Sequence, residues 1–220
     1  MSCCACNTRR MAKVYEALKD LVLSGAIHPG VRVSEAELSE RLHVSRTPVR
    51  EALARLEGDG LVHARGRGVR VASLDVAALV LVLEAREALE SWAVGRAAER
   101  VAAGLVPPAR LARLRTLAAE ADERTRAGEL ASAVSANREF HLAATALCEN
   151  ALVQRTLEGY WNLIAIATRA GLDEARRADS VDREHRGMLD ALTGGDAAAA
   201  ARLAADHVRR TREVLSKEDS

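Results

Sequence analysis

The chain has 220 residues, 49% of them hydrophobic and only 2% aromatic, with a formal net charge of +1. That apolar fraction excludes a disordered chain, and no apolar run approaches the roughly 20 residues of a membrane-spanning helix; with no signal-peptide core either, a cytoplasmic protein is expected. Residues 1–75 carry 12 Lys and Arg against 9 Asp and Glu, and the remainder carries 20 against 22, so the small basic excess sits in the first third.

Cys3, Cys4 and Cys6 crowd the N-terminus and Cys148 stands alone, which is no disulfide framework. A soft-metal or redox cluster is one reading of the first three. A disordered arm over 1–9 is the reading adopted, because a chain end lacks the scaffold that fixes ligand geometry. Ser34-Glu35-Ala36-Glu37 is a capping box and predicts a helix from Ser34 to about His43, with Leu38 and Leu42 on one face. Ser45 is a second N-cap, and Pro48 falls in the first turn, where a missing N–H costs nothing. Val49, Leu53 and Leu56 then face inward, which leaves Arg46, Thr47 and Arg50 at the outward N-terminal end. After Gly58-Asp59-Gly60, two short strands over 61–64 and 69–71 flank Arg65-Gly66-Arg67-Gly68. Such a basic turn is either solvated surface or the wing of a winged helix-turn-helix.

The order helix, turn, helix, basic hairpin resembles the GntR family of bacterial transcription regulators over residues 10–73. The resemblance rests on Gly25–Gly30, Val33–Leu38, Leu56–Val62 and above all Val44-Ser45-Arg46-Thr47-Pro48-Val49-Arg50-Glu51-Ala52-Leu53. It implies operator contacts by Arg46 and Arg50, a phosphate contact by Thr47 and a wing glycine, Gly68, in the minor groove. Ser45, Arg65 and Arg67 complete the expected DNA-binding set. Ala36 departs from the family, several of whose members carry a DNA-touching arginine there.

From residue 74 to 220 the pattern predicts six helices, over 75–103, 109–127, 129–147, 150–171, 178–193 and 196–215. Gly104, Pro107-Pro108, Gly128, Asn150, Gly171 and Gly194-Gly195 mark the breaks. The fold class is therefore mainly α: an N-terminal winged helix-turn-helix and a C-terminal all-α six-helix bundle. Asn137 and His141 share one helix face. His185 lies seven residues before Leu192 and His207 ten after Ala197, a mismatch of about 4.5 Å of rise, so the two imidazoles reach similar heights across the Gly194-Gly195 turn. Three imidazoles and an amide oxygen suit a divalent transition metal; histidines at helix interfaces are equally packing residues.

Asn137–His141, Glu184–Leu192 and Gly195–His207 resemble the FCD domain of the FadR subfamily, with six helices as in its VanR-like branch. The resemblance implies a metal, often zinc or nickel, on Asn137, His141, His185 and His207, with Asn137 standing where aspartate is commoner. It also implies that Arg86 points at an effector carboxylate, although Arg86 and Glu90 read equally as an i, i+4 surface pair. Trp92, Tyr160 and Trp161 are expected in core or interface. The expected protein is a homodimeric repressor that reads a palindromic double-stranded operator and responds to a small organic acid. A metal-sensing regulator is the alternative. A metal-dependent hydrolase lacks a general base, since Glu139 points about 200° away from His141.

Overall fold

The computed structural model describes residues 4–66, 68–128, 130–169 and 178–218. Its first helix, α1 (Cys4–Leu23), buries a stripe of Val14, Tyr15, Leu18 and Val22. The expectation of a disordered arm over 1–9 gives way from Cys4 onward, where the chain is helical. Ala5, Arg9, Arg10 and Met11 are strong helix formers, so the packed helix propagates backward at little cost. Residues 1–3, Cys3 among them, lie outside the described residues.

A short strand β1 (Arg32–Ser34) leads into α2 (Glu35–Leu42). The capping box is formed: Glu37 N donates to Ser34 Oγ at 3.2 Å and Ser34 N donates to Glu37 Oε2 at 2.7 Å. Helix α3 (Arg46–Gly58) buries Val49, Ala52, Leu53 and Leu56. Tyr15 fixes α1 against its far end, donating its hydroxyl to Asp59 while the Arg55 guanidinium lies 3.8 Å over the ring. The hairpin of β2 (Val62–Ala64) and β3 (Gly68–Val71) follows, and the three strands form an antiparallel sheet in the order β1-β3-β2. Strand β1 is absent from the sequence reading because its partner in the ladder, β3, is distant in sequence and no hairpin turn joins them.

The chain divides into two compact units after Leu74. Asp75 opens the second by accepting a hydrogen bond from Ala78 N at 2.7 Å. Six helices follow among the described residues: α4 (Val76–Ala102), α5 (Pro108–Ala127), α6 (Leu130–Thr145), α7 (Ala151–Arg169), α8 (Ala178–Gly194) and α9 (Ala197–Glu218). The last turn of α6 tightens into a 3-10 turn, Ala146–Cys148. Gly171, expected to end α7, lies outside the described residues. Val94, Ala97, Ala98, Leu114, Leu117, Phe140, Leu147, Met188, Leu192, Ala200 and Ala204 form one core.

Small residues let α4 and α9 cross closely. A Cβ at Gly95 would stand 3.0 Å from Ala201 Cβ and 3.2 Å from the Ala197 carbonyl oxygen. Gly95→Val should therefore destabilise the bundle by about 1–3 kcal/mol through overpacking. Thermal unfolding checks it, and an unchanged melting temperature would refute the close crossing.

Candidate DNA interface and metal centre

The inward stripe of α3 leaves Ser45, Arg46, Thr47 and Arg50 exposed around its N-terminus. Ser45 occupies the N-cap position with extended backbone, but its side chain makes no capping hydrogen bond. Arg50 is engaged within the unit: Nε and Nη2 donate to Glu35 Oε1 and Oε2 at 2.9 and 2.8 Å. This hydrogen-bonded pair lowers the pKa of Glu35 and raises that of Arg50. With the Arg50 side chain 69% exposed, it is a surface contact that exchanges readily. Nothing in the sequence reading singled out Glu35 as its partner.

In the hairpin, Arg65 is exposed and its N–H donates to the Gly68 carbonyl at 2.9 Å; Arg67 lies outside the described residues. Gly66 takes a left-handed φ of 64°. Gly68 has a different reason to be glycine. It faces Ser34 across the ladder, and a Cβ there would fall 2.3 Å from the Val33 carbonyl oxygen. Close packing of β1 against β3 thus demands glycine at 68 before any partner is considered.

In the helical unit, His141 on α6, His185 on α8 and His207 on α9 are all buried, and one ligand atom from each lies within 4.8 Å of the others. The His141 and His207 rings stack with centroids 4.8 Å apart, and His185 stands 5.1 and 4.9 Å from them. Asn137, one turn before His141, has a buried Oδ1 with no hydrogen-bond partner among the described residues. Asn137, His141 and His207 line a small cavity with Arg86, Trp161, Val181 and Thr211; its empty volume is about 310 Å³.

A carboxylate oxygen lies beside Nδ1 of each imidazole: Glu90 at 2.5 Å from His141, Asp122 at 3.2 Å from His185 and Glu184 at 2.8 Å from His207. The Nε2 atoms of His141 and His185 are buried without a hydrogen-bond partner among the described residues, and so is His141 Nδ1, whose close approach to Glu90 is an ion-pair contact without hydrogen-bond geometry. Burial pushes the His141 imidazole down to about 4 against the opposing charge of Glu90, and pushes His207 well below its ordinary value against Glu184. Neutral imidazoles with open nitrogen lone pairs are metal ligands, so the triad can hold a metal ion.

Arg86 and Glu90 are not the surface pair that their spacing equally allowed. Arg86 is 2% exposed and Glu90 is fully buried, joined by Nε to Oε2 at 2.7 Å. Burial alone would raise the Glu90 pKa, but Arg86 and His141 more than reverse this and hold the carboxyl below its ordinary value. The Arg86 guanidinium also lies 4.0 Å over Trp161, which makes that residue a cavity wall as well as core. Trp92 is 49% exposed, and Glu139 is exposed, facing away from the imidazoles. As partners of the imidazoles, Glu90, Asp122 and Glu184 escaped the sequence reading. A signal was present: each continues a buried apolar stripe, such as Leu83, Arg86, Glu90, Ala93 and Ala97 on α4.

A winged helix-turn-helix unit followed by a helical bundle with a polar cavity defines a transcription regulator. Residues 10–71 match the gntR family of bacterial regulatory proteins and residues 81–210 match the FCD domain. The chain belongs to the GntR family, as a member of its FadR subfamily with a C-terminal FCD domain. It is 28% identical over 181 residues to the HTH-type transcriptional regulator YdhC of Bacillus subtilis, covering 80% of this chain and 77% of that one. It is 25% identical over 204 residues to the transcriptional repressor RspR of Escherichia coli, covering 92% and 87%. E. coli McbR/YncC shares the fold, with a TM-score of 0.80 at 24% identity over 96% of this chain and 98% of that one. This membership displaces the hydrolase reading: the family is one of regulators. No helix among the described residues is long and apolar enough to cross a membrane.

The buried pair yields a direct test. Glu90→Ala strands the Arg86 charge in the core and should cost about 3–5 kcal/mol, whereas the double change Arg86→Met with Glu90→Leu should cost far less. Chemical denaturation of both variants measures this, and equal losses would show that the pair is not electrostatically coupled.

Proposed function

We propose that this regulator is a metabolite-responsive repressor: a homodimer that holds a palindromic operator and releases it when a small carboxylate enters the cavity beside a divalent transition metal, zinc or nickel. The observation that carries this reading is the shared cavity, in which a buried guanidinium faces the imidazole cluster. Asn137, His141, His185 and His207 would hold the ion, which supplies a Lewis-acid anchor for a carboxylate oxygen. The unpartnered Asn137 Oδ1 and the open imidazole Nε2 atoms fit that donor set. Arg86 would orient the other carboxylate oxygen through a planar fork of N–H donors, and Trp161 would close the wall. The cavity is small, which favours a small acid.

On DNA, Arg46 and Arg50 would read base edges, Ser45 and Thr47 would bond phosphate, and Arg65, Arg67 and Gly68 would bring the wing to the minor groove. Arg50 must first exchange Glu35 for the duplex, a cheap swap for so exposed a pair. A palindrome requires two copies related by a two-fold axis. Leu81, Ala88 and Trp92 form one exposed apolar stripe on α4 that supports such pairing. The repressor sense is supported by the relative RspR, itself a transcriptional repressor.

A second reading, a sensor of the metal itself, is favoured by the Arg86–Glu90 pair, which already satisfies part of the arginine inside the chain. A thermal-shift screen of small organic acids, with and without chelator, separates the two. A ligand at a hundred times its dissociation constant stabilises by about 2.7 kcal/mol, or several degrees. The repressor reading expects one acid to raise the melting temperature only when metal is present, and to lower operator affinity. Metal alone releasing DNA would establish the sensor, and no response to metal or acid would sink both. For the DNA assignment, two copies of the chain should bind each operator by light scattering, and Arg50→Ala should abolish specific binding while leaving the helical content unchanged. Full affinity in that variant would overturn the assignment.

A further inference from the structure

We propose that Glu90, Asp122 and Glu184 are the positioning residues of the metal centre, each holding the Nδ1 edge of one imidazole so that the three rings offer Nε2 to a common divalent ion. This deepens the metal-site reading above and rests on it.

The pairing is systematic. Each carboxylate reaches its imidazole from a different helix: Glu90 on α4 to His141 on α6, Asp122 on α5 to His185 on α8, and Glu184 on α8 to His207 on α9. All three approach the same ring nitrogen, Nδ1, with hydrogen-bond geometry at His185 and His207 and as a close ion-pair contact at His141. A carboxylate accepts the Nδ1 proton, which fixes the tautomer, leaves the lone pair on Nε2 and stops the ring from flipping. Histidines that merely fill a core need any donor or acceptor on either nitrogen; these three share one pattern. Where the pattern leaves nitrogen lone pairs, at His141 Nε2 and His185 Nε2, no other group of the described chain meets them.

Two of the carboxylates have a second neighbour besides their imidazole: Asp122 also hydrogen-bonds Asp182, and Glu184 meets Arg210 at 3.0 Å, with the Arg210 side chain 55% exposed. Orienting partners of this kind typically govern metal affinity by about 10–100-fold without touching the ion.

The test uses the full chain. Its affinity for Zn²⁺ is measured by competition with a chromophoric chelator, and the ligand set is read from the Co²⁺ d–d absorption at saturation. Asp122→Asn keeps the shape of the side chain and removes its charge. It should bind Zn²⁺ about 10–100-fold more weakly while retaining the wild-type Co²⁺ band, because the ligands are intact. His185→Ala, by contrast, should alter the band. Should Asp122→Asn not fold, Glu184→Gln carries the same expectation at His207. A purely structural carboxylate would lower the melting temperature of the metal-free protein and leave the affinity within twofold of wild type; that result overturns the proposal. A changed Co²⁺ band in Asp122→Asn or Glu184→Gln would make the carboxylate a ligand and overturn it too. A wild-type chain that binds neither ion instead removes the metal site on which the proposal rests.

Discussion

Three imidazoles stand at the centre of a bundle whose core is mostly alanine, leucine and valine, and the architecture depends on how their polar edges are met. A buried polar group without a partner costs roughly 1–3 kcal/mol, and a buried charge more. The helical unit answers with Glu90, Asp122 and Glu184, each reaching a histidine on another helix. The cluster thereby ties α4, α5, α6, α8 and α9 together. Stability is not what such a cluster supplies best, since replacing buried ion pairs with packed apolar residues is often neutral or favourable. Binding is the better account of its presence. Open nitrogen lone pairs and an unpartnered amide oxygen are costs that a bound ligand or a buried water would offset.

The packing of α4 on α9 serves the same end. With few aromatic residues, the two helices approach through Gly95, Ala197 and Ala201, and this sets the distance between Arg86 on one and His207 on the other across the cavity they both line. Ion pairs decorate the crossing, Arg209 to Glu87 at 2.8 Å and Arg212 to Glu84 at 3.2 Å. These are partly exposed, and pairs of that kind contribute little. Shape, not surface charge, holds the walls apart. The same logic governs the wing, where Gly68 is demanded by the approach of β1 to β3.

Much of this was legible in the chain because punctuation in sequence is local. Capping at Ser34, the left-handed turns at Gly128 and Gly195 and the proline pair at the start of α5 bound elements whose apolar stripes then follow at helical spacing. The histidines were legible too, since a tight turn after α8 converts residue counts into heights on neighbouring helices. What escaped depends on contact between distant segments. Strand β1 exists only because β3 pairs with it. Asp122 lies 63 residues from His185, so no spacing rule joins them. Arg86 and Glu90 were visible as a pair but ambiguous in place, because an i, i+4 separation is the same on a buried face and an exposed one. The stripe from Leu83 to Ala97 resolves the ambiguity, and it must be weighed over about four turns rather than one.

The buried arginine frames how a ligand would be recognised. A guanidinium carries five N–H donors, and Glu90 occupies two of them through Nε and Nη2. Three remain, so an acid in the cavity could bond Arg86 without breaking the pair. The pair does, however, cancel most of the arginine's charge at short range. What is left is a donor array that orients a carboxylate more than it attracts one. Attraction must then come from whatever the imidazoles hold. Affinity for an acid and occupancy by a cation would thereby be coupled in one cavity, and such coupling is reciprocal: a ligand that requires the ion must also tighten the ion's binding by the same factor.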